Sequence, residues 1–363
     1  MPNKLCLVLS VILTATMLLA ACAPAAPTAA PVQPTTAPAA TAAALPNGSS
    51  IKVGLVTDTG SVNDQAFNQL AWEGVQKAAT DMGFQAKFLE STQPSDYETN
   101  IDALAAEGYN VIITVGSPMG DVTALKAQQY PDIKFAIIDN AYAISGLANV
   151  TSLMFAEEQI GFLAGVLAGG MSRSGFVCSV SSLRTPASGR YMVSFFQGAS
   201  WQAGPEMKFM NNYINTETTD PNVPSSTDST QGKETALKLI GDGCDVVFAI
   251  GGDAVNGALL AAKESNLPAV GADVDQYNTD PEAQSALITS AMKNVDVAVY
   301  NYLKTVADGS VQAGISTSTL QNGGVGLAPF HDWDSKIPAD LKAQIQQASD
   351  GIKDGSIKID LPQ

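Results

Sequence analysis

The sequence predicts an α/β protein built as two doubly wound lobes in tandem. Short apolar runs alternate with amphipathic helical stretches, and the connections between them are brief and rich in Gly. That alternation implies mainly parallel sheets with helices on both faces. It then restarts about halfway along a chain of 363 residues, which is too long for one ordinary domain.

The first unit is an apolar strand at 53–56, a break at Thr57-Asp58-Thr59-Gly60, and a helix over 64–81 with Phe67, Leu70, Ala71, Gly74, Val75 and Ala78 at helical spacing. Ser61 with Asp64, or Asn63 alone, would cap its first turn. Gly83 supplies a C-cap. A strand at 85–89, a helix at 95–107, a buried strand at 109–115, a helix at 121–129 and a strand at 133–139 complete the first lobe. The second opens with an apolar, Gly-containing helix at 157–168 and a strand at 175–180. A polar loop then runs through Gly189 to an aromatic-rich helix at 190–204. A strand at 209–215, a loop at 216–229, a helix at 231–241 and a strand at 245–250 follow. Gly251-Gly252-Asp253 opens a helix at 254–265, and a strand runs from 269 to 273. Residues 287–294 cross back and lead into a helix ending at 307, and a last helix covers 338–353.

The first 21 residues read as a targeting segment, with Lys4 ahead of an apolar run from Leu5 to Leu19. Leu19-Ala20-Ala21-Cys22 has the pattern of a bacterial lipobox, in which Cys22 is acylated; an ordinary cleaved signal beside a chance cysteine is the plainer alternative. Residues 23–50 are Ala, Pro and Thr rich and uncharged, a composition suited to an extended tether. The expectation is an extracytoplasmic protein lipid-anchored to the cell membrane, at the cell surface or in a periplasm. No other stretch has the apolar length of a membrane span. Cys178 and Cys244 both border strand-like runs, and either a disulfide or two separate buried thiols fits.

Nineteen basic residues face 35 acidic ones, a net charge of −16, so nucleic acid and anionic membrane surfaces are poor partners. Only three arginines occur (Arg173, Arg184, Arg190), which argues against a phosphate clamp. The single histidine, His331, has no nucleophile motif beside it, and no Gly-x-Ser-x-Gly, P-loop or His-Glu-x-x-His is present. An enzyme, a metal site and a cofactor are therefore not expected. In open α/β sheets ligands gather past the carboxyl ends of strands. Asp58, Asn63, Asp64, Phe67 and Asn68 lie in such a place. Asp273, ending a strand, is suited to accept hydroxyl protons. Gly251-Gly252-Asp253 reads either as a close backbone approach to an uncharged ligand or as a plain turn. Phe67 is the best-placed aromatic; Phe195, Phe196 and Trp201 are more readily core residues.

These motifs resemble the basic membrane protein family, the PnrA-like nucleoside-binding lipoproteins of ABC importers. The likeness rests on Asn63-Asp64-Gln65-Ala66-Phe67-Asn68 with Trp72-Glu73-Gly74, on Glu157 through Gly165, on Gly251-Gly252-Asp253, on Gly271-Ala272-Asp273-Val274-Asp275-Gln276 and on Thr289 through Lys293. It implies a type I periplasmic-binding-protein fold, two lobes joined by three crossovers with the ligand cleft between them. Its implied division is 51–153 plus 289–316 for one lobe and 154–288 plus 317–363 for the other. By the same resemblance Phe67 stacks on a purine, with Asn68 beside it, while Asp273 and Lys293 bind ribose. An Asp of the first lobe meets the base edge; Asp139 is the nearest match and Asp121 the alternative. The implied partners are a purine nucleoside and an ABC permease, with a monomeric chain. A sugar or furanosyl-signal binder and a sensor lipoprotein are the rival readings. Two departures bear on ligand choice: a long loop over 180–191 carrying Arg184 and Arg190, and Asp253 in the Gly-Gly turn.

Overall fold

The computed structural model describes residues 50–64, 66–141, 146–182, 184–214 and 229–361, and the backbone but not the side chain of Asp253. The expected signal segment, Cys22, the tether and nearly all of the 216–229 loop lie outside these residues.

The chain begins with β1 (Lys52–Thr59), α1 (Phe67–Met82), β2 (Gln85–Ser91), α2 (Asp96–Ala106), β3 (Val111–Val115), α3 (Gly120–Gln129), β4 (Lys134–Ile138) and β5 (Val150–Phe155). It continues through α4 (Glu157–Met171), β6 (Phe176–Ser181), α5 (Pro186–Ala203), β7 (Lys208–Tyr213), α6 (Ser229–Gly241), β8 (Val246–Ile250), α7 (Asn256–Glu264), β9 (Ala269–Asp273), α8 (Gln276–Thr279) and β10 (Leu287–Lys293). The last elements are α9 (Val295–Ala307), β11 (Gly314–Ser318), β12 (Val325–Leu327) and α10 (Ala339–Asp354). One sheet has the order β11-β5-β4-β3-β1-β2 and the other β12-β10-β9-β8-β6-β7. All pairings are parallel except β10 with β12. The chain changes sheets three times: between β5 and β6, between β10 and β11, and between β11 and β12. This is the two-sheet architecture of type I solute-binding proteins.

The reason for parallel strands is visible in their burial. Every residue of β3, β6 and β8 is buried, as expected for strands covered on both faces. In the first lobe Val56, Ile101, Leu104, Ile112 and Phe135 form one such layer. In the second, Cys178, Leu239, Val247, Ala258 and Leu259 form another. A third cluster runs on through both lobes, from Val53 and Leu55 to Val270, Ile288 and Leu341.

Four differences from the sequence-based expectation have physical causes. The first strand does not stop at Val56 but extends to Thr59, because Thr57 Oγ1 accepts from the Ser91 amide and Ser91 Oγ donates to the Thr57 carbonyl. β5 has no counterpart in the expected elements; its Thr151 and Ser152 look loop-like but are buried between β4 and β11. α5 starts before Arg190, since Thr185 and Ser188 form a capping box and Pro186 occupies the first turn. Finally, the expected lobe division at 288/289 cuts through β10, all of which belongs to the second sheet; the return to the first sheet begins after Lys293.

Where α4 crosses α5, small residues set the approach. A Cβ on Gly165 would sit 2.0 Å from the Phe195 carbonyl oxygen, and one on Gly198 would sit 2.0 Å from that of Phe162. Neither neighbour is a movable side-chain end. We expect Gly165→Ala to lower stability by about 3 kcal/mol or more in denaturant unfolding, against less than about 1 kcal/mol for a tolerated helix substitution.

Cys178 and Cys244 form a disulfide, which settles the open alternative between a bridge and two thiols. It joins β6 to the residues just before β8 across a sequence separation of 66. A loop of that size corresponds to about 4 kcal/mol in the chain-entropy account. Mutating both cysteines to Ala should therefore lower the denaturation midpoint clearly; an unchanged midpoint would show that the bridge adds nothing.

Candidate functional site

The site begins with two aspartates that hold equivalent places in the two lobes. Asp139 directly follows β4 and Asp273 ends β9, each the fourth strand of its lobe in chain order. Both have left-handed backbone, with φ of 64° and 66°, a region in which Asp is enriched among residues other than Gly. Both line a cavity of about 140 Å³ together with Phe67, Tyr191, Gly251 and Lys293, and with hydroxyl-bearing residues that include Ser182 and Thr185. Asp121, the alternative to Asp139, is instead exposed at the start of α3.

Lys293, the last residue of β10, is at the centre. Its Nζ lies 2.7 Å from Asp139 Oδ2, 2.8 Å from Glu157 Oε1 and 3.8 Å from Asp273 Oδ1. The rings of Phe67, Phe155 and Tyr191 surround it, with Nζ 5.2, 5.5 and 5.7 Å from their centroids. Burial alone would lower the lysine, but the three carboxylates outweigh it and hold the ammonium well above its ordinary value. Burial likewise would raise Glu157, yet Lys293 and Arg190 overcome it and keep that carboxylate ionised below its usual range. Arg190 reaches Glu157 Oε2 at 2.7 Å through both Nε and Nη2. For Asp273, burial wins over Lys293, and its carboxyl is raised to about 6. The hydroxyl of Tyr191, fully buried, has its one proton between two acceptors, Asp273 Oδ1 at 3.2 Å and the Ala291 carbonyl at 3.1 Å.

Four residues expected from the first motif do not line the cavity. Asn68 donates to Asp58 Oδ1 at 2.8 Å and to Asp64 Oδ2 at 3.0 Å. Asp64 accepts from the amides of Ala66, Asn68 and Gln69, at 2.8, 3.1 and 3.1 Å, and so caps α1. Asp58 is partly buried against this network, and that desolvation raises its carboxyl. Asn63 is exposed. The motif thus seats the start of α1, and Phe67, its first residue, is the member that reaches the cavity. Phe195 and Phe196 pack on Phe248 and Phe209, and Trp201 lies beside Phe162 at the surface; none borders the cavity. The second-lobe aromatic in the wall is Tyr191.

The long loop expected at 180–191 is mostly regular structure, since β6 runs to Ser181 and α5 begins at Pro186. Arg184 lies 4.7 Å over the Tyr213 ring and Arg190 is bound to Glu157, so both guanidinium groups are engaged. Gly251 contributes backbone with φ 131°, and a Cβ there would fall 2.1 Å from Ser182 Oγ. The side chain of Asp253 lies outside the described residues. Glu157 and Tyr191, both central, went unassigned from sequence; Glu157 begins a helix, where an acidic residue is ordinary.

Two α/β lobes with three crossovers and a polar, ion-paired cavity drawn from both define a solute-binding protein. Residues 51–360 match the family model Bmp, described as ABC transporter substrate-binding protein PnrA-like. The chain belongs to this family. It is 27% identical over 330 residues to the ABC transporter nucleoside-binding protein BmpA of Lactococcus lactis subsp. cremoris, covering 86% of this chain and 89% of that protein. Basic membrane protein A1 of Borrelia garinii subsp. bavariensis is 29% identical, with 83% and 86% covered. Among solved structures, an ABC transporter solute-binding protein from Aeropyrum pernix K1 superposes with a TM-score of 0.72 at 25% identity, covering 86% of this chain and 94% of that one. This chain is accordingly an ABC transporter substrate-binding protein, which implies a small-molecule ligand and a permease partner. Among the described residues no helix is long and apolar enough to cross a membrane.

Proposed function

We propose that the protein captures a purine nucleoside outside the membrane and delivers it to the permease, with Cys22 carrying a lipid anchor. The observation that supports this most is the pairing in one cavity of a flat ring, Phe67, with two partly buried acceptors, Asp273 and Asp139, and the buried ammonium of Lys293. The ring suits a base, and the acceptors suit sugar hydroxyls and a base-edge N–H. An uncharged ligand fits, because the carboxylates would repel phosphate and both nearby arginines are engaged. The nucleoside-binding name of the Lactococcus relative agrees with this reading.

In the described state the cavity, at about 140 Å³, is smaller than the roughly 300–1,000 Å³ of ordinary ligand sites. Admission of a nucleoside therefore requires the lobes to part, and contacts from both lobes would then favour closure. Asp58, Asp64 and Asn68 serve by holding the start of α1 in place. The protein acts as a monomer. Thermal-shift screening tests the ligand class: purine nucleosides should raise the melting temperature in a concentration-dependent way. Stabilisation by ribose or another sugar, with none by nucleosides, would replace this reading with the furanosyl one.

A further inference from the structure

We infer that Glu157, locked by Arg190, is a positioning residue that draws Lys293 away from Asp273 and so leaves the Asp273 carboxylate available to a ligand hydroxyl. The inference deepens the nucleoside reading and rests on it for the identity of the ligand.

Glu157 is the first residue of α4, directly after the first crossover, and its side chain is wholly buried, which is uncommon for Glu. It is not part of the cavity wall. Its two oxygens are divided: Oε2 takes Arg190 from α5, and Oε1 takes Lys293 from β10. Arg190 fixes the carboxylate through two of its nitrogens and so limits where it can swing. An ammonium has three N–H groups. Asp139 and Glu157 engage the ammonium at close range, at 2.7 and 2.8 Å, whereas Asp273 lies an ångström farther at 3.8 Å. Without Glu157, Asp273 becomes the nearest counter-charge after Asp139 and the one left to fill the vacated N–H. Closing that gap would spend the carboxylate on Lys293, and both would be lost to the ligand. The second-lobe groups facing Asp273 are Lys293 and Tyr191, with Asp139 across the cleft.

The test uses Glu157→Gln and Arg190→Met in the full chain. In the ligand-free protein, the Asp273 side-chain carboxyl is titrated by carbon NMR, its resonance assigned by difference from Asp273→Asn. The wild-type midpoint is expected at about 6. In Glu157→Gln it should move to lower pH, because Lys293 closes on Asp273 and a neighbouring negative charge is gone. In Arg190→Met it should move the other way, because Glu157 keeps its charge without a neutralising partner. Inosine affinity, by calorimetry at neutral pH, should fall about tenfold in Glu157→Gln. An unmoved or raised midpoint in Glu157→Gln overturns the inference, as does a lowered midpoint in Arg190→Met, the variant to rely on should Glu157→Gln fail to fold. The NMR measurement needs no ligand. Absence of inosine and other nucleoside binding in the wild type therefore counts against the proposed function alone.

Discussion

Replacing Asp273 by Asn should abolish nucleoside binding and, at about pH 7.5, raise the melting temperature of the ligand-free protein by a few degrees. The two effects have one cause. The cluster holds two cations, Lys293 and Arg190, against the carboxylates of Asp139, Glu157 and Asp273, with Glu158 a further 4.0 Å from Arg190. It carries an excess of negative charge, and Asp273 is its least compensated member, raised from an ordinary 3.8 to about 6. The folded protein therefore holds this proton more tightly than the unfolded chain. The group favours the fold below about pH 4, and that contribution is lost as the pH climbs through about 6. Asn is neutral throughout, so it should restore roughly 1–3 kcal/mol near neutral pH. It also removes the charged acceptor that a ribose hydroxyl would use. Unchanged calorimetric affinity would refute the ribose assignment. A lower melting temperature with binding lost would show that Asp273 supports the ligand-free fold through Lys293 instead of straining it.

Replacing Phe67 by Ala should weaken base-bearing ligands about ten- to a hundredfold while changing affinity for free ribose little. Stacking of an aromatic ring on a base is worth about 1–3 kcal/mol, which is that range of affinities. Phe67 is positioned for this by the Asp58–Asn68–Asp64 network rather than by the core alone, and it is only partly buried. The ring also lies 5.2 Å from Lys293 Nζ, so a small general loss is expected from the weakened cation–π contact. Equal losses for nucleoside and ribose would assign the residue to Lys293 and remove it from base recognition.

The alternation of buried strands and helices was legible because a parallel strand covered on both faces leaves a compact apolar run, as in Val111–Val115 and Val246–Ile250. β5 was not, since Thr151 and Ser152 interrupt the apolar pattern and their burial depends on β4 and β11 arriving from either side. The start of α5 was legible in principle: Thr185, Pro186 and Ser188 are a helix N-terminus, hidden by the expectation of a loop through Gly189. Phe67, Asp139, Asp273 and Lys293 were reached from local motifs and the family resemblance, and all four border one cavity. The roles of Asp58, Asp64 and Asn68 were harder to read, because a polar residue at a strand end can face a ligand or brace a helix with the same sequence pattern. Glu157 carries no local mark of its place. Its partner Lys293 arrives only at the end of β10, after most of the second lobe has been built.

The proposed function places a nucleoside between Phe67 and the Asp273–Lys293 pair. Isothermal titration of the purified protein with inosine, guanosine and adenosine, run beside free ribose, tests this most directly. The expected result is saturable binding of at least one purine nucleoside, far tighter than ribose and absent in Asp273→Asn. Binding of ribose or another free sugar with no response to any nucleoside would contradict it.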